Sequence, residues 1–234
     1  MQSQRQEKYQ DLTGETIKDP VIQYFIDADK KHMVPRDLGF ITKKSNPYKV
    51  DIADRYLRTD YVAALCQGIR VGDLIQELNL RNASLATEGA IQILNAMQYK
   101  NIKSLDFSSN RNIQEGFFEQ LGGMFVKSDF KLEVLHLENI DINESTAEKF
   151  LQDVIDSRTL KVLNLSRNNL SDASAGPICD VIDRCQSLDA LYLHYNKIFG
   201  KGGRQIAEVL EQNGNLQILD LSFNALNGGI VTKD

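Results

Sequence analysis

The 234-residue sequence predicts an α/β solenoid, a horseshoe with parallel strands along its concave side and helices along its convex side. Three observations carry this. Six related segments place a central leucine at 78, 105, 135, 163, 191 and 219, at spacings of 27, 30, 28, 28 and 28 residues. Inside each segment apolar and polar residues alternate, the two-residue period of a strand buried on one face. Later in each unit, apolar pairs stand four residues apart, the spacing of one helical face. A strand and a helix recurring at this period form a unit that buries its apolar side only by stacking on its neighbours.

The strand segments are LIQELNLRNASL (74–85), IKSLDFSSNRNI (102–113), LEVLHLENIDI (132–142), LKVLNLSRNNL (160–170), LDALYLHYNKI (188–198) and LQILDLSFNAL (216–226). Counting back 28 from Leu78 reaches Val50, where VDIADRYL repeats the pattern in weaker form and makes seven units. These segments resemble the leucine-rich repeat, L-x-x-L-x-L-x-x-N-x-L. A 28-residue unit with one strand and one full helix is similar to the long, ribonuclease-inhibitor type. The asparagines at 110, 168, 196 and 224 stand where the chain turns away from the strand. A buried turn leaves backbone N–H and C=O groups in need of partners, and an amide side chain offers both a donor and an acceptor. Asn110, Asn168, Asn196 and Asn224 are therefore expected to form a ladder, interrupted where Arg55, Ala83 and Ile140 take the position.

Helices are expected around the pairs Leu65/Ile69, Ile93/Met97, Leu121/Phe125, Phe150/Val154, Ile178/Ile182 and Ile206/Leu210. Ser145-Thr-Ala-Glu148 reads as a capping box, and Pro177 suits a first helical turn. Gly89 and Gly202 share one repeat position at the turn into the helix.

The domain boundaries follow. Residues 1–18 are polar without apolar periodicity and are expected to be a flexible tail. Residues 19–49 are expected to be a helical cap, with Asp19-Pro20 starting a helix whose face holds Val21, Ile22, Phe25 and Ile26, and with Pro35 and Pro47 closing it. Residues 50–234 form the repeat domain. Its seventh unit delivers a strand and a turn but no helix, which predicts that the chain continues beyond Asp234 or that a partner caps this end. The order of helix, Met-Val-Pro segment and degenerate first repeat is similar to repeat proteins of cilia and flagella.

Composition narrows the function. Net charge is −5, and residues 50–234 carry 18 Lys/Arg against 25 Asp/Glu, so no basic stripe invites nucleic acid. No run of 18 apolar residues suggests a membrane span, and MQSQRQEKYQDLTGE has no apolar core of a secretory signal. Cys66, Cys179 and Cys185 are too few for a disulfide framework, which fits a reducing, cytoplasmic setting.

The sequence carries no recognisable catalytic signature. No Walker-type loop or G-x-S-x-G is present, and Gly200-Lys-Gly-Gly-Arg204 reads as the repeat's own turn rather than a phosphate loop. His136 and His194 lie two units apart, too far for joint zinc ligation, and His32 reads as a solvated helix-end residue. No metal or cofactor is expected.

What remains is a surface. In this architecture the residues between strand leucines point away from the core. One row runs Glu77, Ser104, Val134, Val162, Ala190, Ile218, apolar over four units. Beside it run Asn79, Asp106, His136, Asn164, Tyr192, Asp220, and then Arg81, Ser108, Glu138, Ser166, His194, Ser222. An apolar strip beside a tyrosine and two histidines suits a protein partner. The expected partner-binding residues are Val134, His136, Glu138, Val162, Asn164, Tyr192, His194, Ile218 and Asp220 on the concave face. The expected function is a non-enzymatic interaction scaffold in a larger assembly. The resemblance suggests the cytoskeleton or a ciliary axoneme. The alternative is a small-GTPase regulator, since one family of GTPase-activating proteins carries the same long repeat.

Overall fold

The computed structural model describes residues 23, 24, 27, 28, 30–32, 48–127 and 130–226. Seven strands follow one another: β1 (Lys49–Asp51), β2 (Glu77–Asn79), β3 (Ser104–Asp106), β4 (Val134–His136), β5 (Val162–Asn164), β6 (Ala190–Tyr192) and β7 (Ile218–Asp220). They form one open parallel sheet in sequence order. The register pairs Val50 with Leu78 and carries the same position through Leu105, Leu135, Leu163 and Leu191 to Leu219. Each central residue anticipated from the repeat is thus the middle residue of a strand. From β1 to β6 that side chain is fully buried against the helical layer, and its neighbours on either side face away.

Six helices alternate with the strands: α1 (Thr59–Val71), α2 (Thr87–Met97), α3 (Glu115–Phe125), α4 (Glu144–Val154), α5 (Ala175–Arg184) and α6 (Gly200–Leu210). A short 3₁₀ turn, Asp172–Ser174, precedes α5. Each helix packs on its sequence neighbours, as stacked units require. The i, i+4 pairs face inward: Leu65/Ile69, Ile93/Met97, Leu121/Phe125, Phe150/Val154, Ile178/Ile182 and Ile206 are buried, and Leu210 is half-buried. Units three and four fill their interior with rings. Phe107, Phe117, Phe118 and Phe150 meet edge-to-face at 4.8–5.7 Å between centroids.

The turn asparagines bind across repeats. Asn168 accepts from the Ile140 and Asp141 N–H groups at 2.9 and 3.1 Å, and donates to the Leu137 and Leu165 carbonyls. Asn196 accepts from the Asn168 and Leu170 N–H groups, both at 3.0 Å, and donates to the Leu165 and Leu193 carbonyls. Asn110 serves Ala83 and Leu85 likewise, and Asn224 accepts from Ile198 N–H. The amides of Asn110, Asn168 and Asn196 thereby satisfy buried backbone groups, while Asn224 works at a half-buried turn.

Several local expectations are corrected. The cap of α4 is Asn143, whose side chain accepts from Thr146 N–H at 2.9 Å, so Ser145 lies inside the helix rather than heading a capping box. Gly202 is not a turn residue. It sits within α6, where a Cβ would come 2.5 Å from Asp172 Oδ1 and would push aside the carboxylate that accepts from Phe199 N–H. Cys185 caps the C-terminal end of α5. At the N-terminal side, residues 23, 24, 27, 28 and 30 are helical, and Tyr24 and Ala28, four apart, are fully buried. The exposed His32 follows in a turn. The proposed tail 1–18, the Asp19-Pro20 cap, the Val21/Ile22/Phe25/Ile26 face, Pro35, Pro47 and residues 227–234 lie outside the described residues.

Candidate protein-binding face

The outward sides of the strands form two columns in register. The first runs Lys49, Glu77, Ser104, Val134, Val162, Ala190, Ile218. Val134 and Val162 are half-buried and Ile218 is 48% exposed, but Ala190 is buried, so the apolar strip has a gap at unit six. The second column runs Asp51, Asn79, Asp106, His136, Asn164, Tyr192, Asp220.

Five members of the second column share one structural task. Asp51, Asn79, Asp106, Asn164 and Asp220 each accept from the backbone N–H two residues ahead, at 2.8–3.3 Å. This is the Asx-turn that starts the bend away from the strand. Asn164 and Asp220 are therefore held by the fold. His136 and Tyr192 are the two that do not make this bond. In unit four the Glu138 N–H takes the Ser108 hydroxyl instead, at 3.1 Å. Asp220 is held below the usual carboxylate range, first by the Ser222 hydroxyl and backbone N–H and also by the neighbouring His194.

The third row is less open than the sequence suggests, because Ser108 and Ser166 are fully buried. Glu138 bridges Arg81 at 3.2 Å and Arg167 at 3.1 Å. His194 stands two residues beyond β6, not within the strand. Its Nδ1 lies 2.9 Å from Ser166 Oγ and 3.1 Å from Asp220 Oδ2. A serine, a histidine and a carboxylate thus meet, but on one ring nitrogen. Nucleophile activation requires the hydroxyl and the carboxylate on opposite nitrogens, and a reachable hydroxyl. The trio is suited to tying three repeats together.

A further column was not read from the sequence. The residue four after each central strand position adopts a left-handed backbone in all seven units: Asp54, Asn82, Ser109, Asn139, Arg167, Tyr195 and Phe223, with φ between 50° and 61°. The first four are small and polar, the types that tolerate this region. Asn82 donates to Asp54 at 2.8 Å and Asn139 to Ser109 at 3.4 Å. The last three are bulky. The Arg167 guanidinium lies 3.9 Å above the Tyr195 ring, and Tyr195 stacks on Phe223 at 4.2 Å with 5° between planes.

A family model described as Leucine Rich repeat matches residues 156–179 and 212–233. Those stretches hold β5 with Asn168 and β7 with Asn224. The chain carries leucine-rich repeats. The structure of a protein from Bacteroides fragilis aligns with a TM-score of 0.47 and 17% identity, over 65% of this chain and 42% of that one. A leucine-rich repeat protein from Leptospira interrogans aligns with a TM-score of 0.43 and 18% identity, over 82% of this chain and 59% of its own. The chain thus spans less than two thirds of either structure. No curated protein matches in sequence.

The repeat arrangement also accounts for the glycine-rich helix start. In this leucine-rich repeat stack, a side chain of one unit satisfies the backbone where the next unit's helix begins. Thr87 Oγ1 accepts from Gln114 N–H at 2.8 Å, Glu144 from Ser171 N–H at 2.7 Å and Asp172 from Phe199 N–H at 2.7 Å. The anion beside Gly200-Lys-Gly-Gly-Arg204 is the chain's own Asp172. Among the described residues no three His, Cys, Asp or Glu side chains are grouped to hold a metal, and no helix is long and apolar enough to cross a membrane. Cys66 and Cys185 are buried and Cys179 half-buried, all as free thiols; burial pushes the Cys66 thiol up to about 11.

Proposed function

We propose that this leucine-rich repeat protein is a non-enzymatic scaffold that holds another protein on the outward face of its sheet, across units four to seven. The observation that supports it best is the substitution pattern of the second column. Five units place Asp or Asn there for the turn, while units four and six place His136 and Tyr192, whose side chains do nothing for that turn. Residues released from a structural task, next to the half-buried Val134 and Val162 and the exposed Ile218, suit a contact surface. In this reading Val134, His136, Val162, Tyr192 and Ile218 touch the partner. Glu138, Asn164, His194 and Asp220 hold the face in shape and line its edge.

The finer assignment belongs to the same proposal. Helices of 10–13 residues in every complete unit support the ribonuclease-inhibitor type of repeat. A place in a cytoskeletal or ciliary assembly rests on the resemblance of the N-terminal order of elements. The half-exposed apolar side chains of unit seven would suit a further repeat or a capping partner.

Lysine cross-linking of the tagged chain in native extract tests the binding face. A partner seated there links to Lys103, Lys161 and Lys197, which border the strands and turns. Links confined to Lys149 and Lys201 on the helices would overturn the assignment. Acceleration of GTP hydrolysis by a bound GTPase would replace the scaffold with a regulator.

A further inference from the structure

The left-handed column changes chemistry along its length, and nothing in the fold requires the change. Four units manage the same backbone with Asp54, Asn82, Ser109 and Asn139. Units five to seven use Arg167, Tyr195 and Phe223, types for which this region is unfavourable by about 1–2 kcal/mol. Two of the three also hold apolar rings in water, with Tyr195 42% and Phe223 68% exposed. Strain and exposed rings coincide where a site serves a purpose other than folding.

We propose that the Arg167–Tyr195–Phe223 stack anchors a protein partner through an arginine of that partner, seated on the exposed Phe223 ring beside Asp220. This rests on the scaffold reading and names the chemistry of its occupant.

The stack itself points to a cation. One end is already closed by a guanidinium, that of Arg167 on Tyr195, which Glu138 steadies from the side at 3.1 Å. Tyr195 is covered on its other face by Phe223. Phe223 is 68% exposed, and an aromatic face attracts a cation. Three residues earlier in the same unit, Asp220 supplies a carboxylate that stays ionised at neutral pH. An arginine suits both at once, since its planar group stacks on rings and forks onto a carboxylate. Residues 50–234 carry seven more acidic than basic groups, which favours the approach of a basic partner. An acidic segment would meet Asp220 and Glu138. A purely apolar one would leave Asp220 idle.

The experiment uses the full 234-residue chain with labelled aromatic rings. The probes are acetyl-Gly-Arg-Gly-Arg-Gly-amide and its Leu and Glu counterparts, followed by nuclear magnetic resonance. The arginine peptide should move the Phe223 and Tyr195 ring signals saturably, and the Leu and Glu peptides should not. Phe223→Asn should weaken that binding about 2- to 5-fold, the size of an exposed cation–π contact. Asp220→Asn, which keeps the turn hydrogen bond, should weaken it as well. The urea midpoint of Phe223→Asn should stay at or above that of the parent. The proposal is overturned by equal binding of the Leu or Glu peptide, by unchanged binding in Phe223→Asn, or by a fall in its urea midpoint that makes the stack a structural contact. Failure here leaves partner cross-links at Lys103 and Lys161 intact, whereas failure of the sheet-face reading removes those links and leaves the ring shifts.

Discussion

Units three and four keep their rings inside, and units six and seven keep theirs outside. Phe107, Phe117, Phe118 and Phe150 are buried between sheet and helices. Tyr195, Phe199 and Phe223 stand in solvent, and Tyr192 faces away from the core. The turn column follows the same division, with small polar residues through unit four and Arg167, Tyr195 and Phe223 afterwards. In a repeat protein every unit solves the same folding problem. A residue type that one unit uses and another does without is therefore not dictated by the fold. The difference between the two halves separates positions that build the stack from positions free to meet something else.

The sharpest contrast lies between the inner and outer rings. Phe117→Ala should cost about 3–5 kcal/mol, because it empties a site packed against Phe107 and Phe118. Urea unfolding of that variant beside Phe223→Asn measures the contrast directly. If the two lose equal stability, the division of the aromatics has no energetic meaning.

The asparagine ladder should show the division next. Asn168→Ala strands the buried Ile140 N–H, takes the partner from Asp141 N–H, and should cost about 1–3 kcal/mol. Asn224→Ala should cost less, because Asn224 is only half-buried and its surroundings admit water. Equal urea midpoints for these two would mean that burial does not set the value of the ladder.

The turn column can be broken from the polar side. Asn139→Tyr brings a bulky residue to φ 56° and removes the contacts of Asn139 with Ser109 and Arg111. A loss of about 1 kcal/mol is expected. A gain in thermal stability would show that an aromatic residue is favoured there for structural reasons.

The smallest effect concerns pH. Asp153 lies against Gly122, and burial followed by repulsion from Asp156 raises its pKa. The folded state then holds the proton more tightly than the unfolded one, so stability falls as pH rises from the ordinary aspartate range through the raised value. Asp153→Asn should match the parent in acid and exceed it slightly at neutral pH. Parallel pH profiles for the two proteins would remove this role.

Much of this architecture was legible in the sequence because repetition multiplies each weak signal. One Leu-x-Leu pair is ambiguous, whereas six at nearly constant spacing fixed the centre of every strand, and even the degenerate Val50 fell into register. Caps were harder to read. The choice of Asn143 over Ser145 turns on a two-residue shift in helix start. Gly202 could not be assigned without the distance to Asp172, 30 residues away. On the candidate face, the two outward columns follow from alternation, but the burial of Ala190, Ser108 and Ser166 depends on neighbouring units. The Arg167–Tyr195–Phe223 stack is not legible in the sequence, because Asp54, Asn82, Ser109 and Asn139 share no chemistry with it. Only the common backbone geometry reveals one column.

In the proposed scaffold, adjacent residues in one turn serve different ends: Tyr195 meets a partner and Asn196 holds the fold. Urea titration of Tyr195→Asn and Asn196→Ala in the same chain tests it most directly. Tyr195→Asn should stay within about 1 kcal/mol of the parent, since relief of the backbone offsets the lost stacking. Asn196→Ala should lose about 1–3 kcal/mol through its unpaired N–H groups. A Tyr195→Asn loss as large as that of Asn196→Ala would make Tyr195 a structural residue like its neighbour.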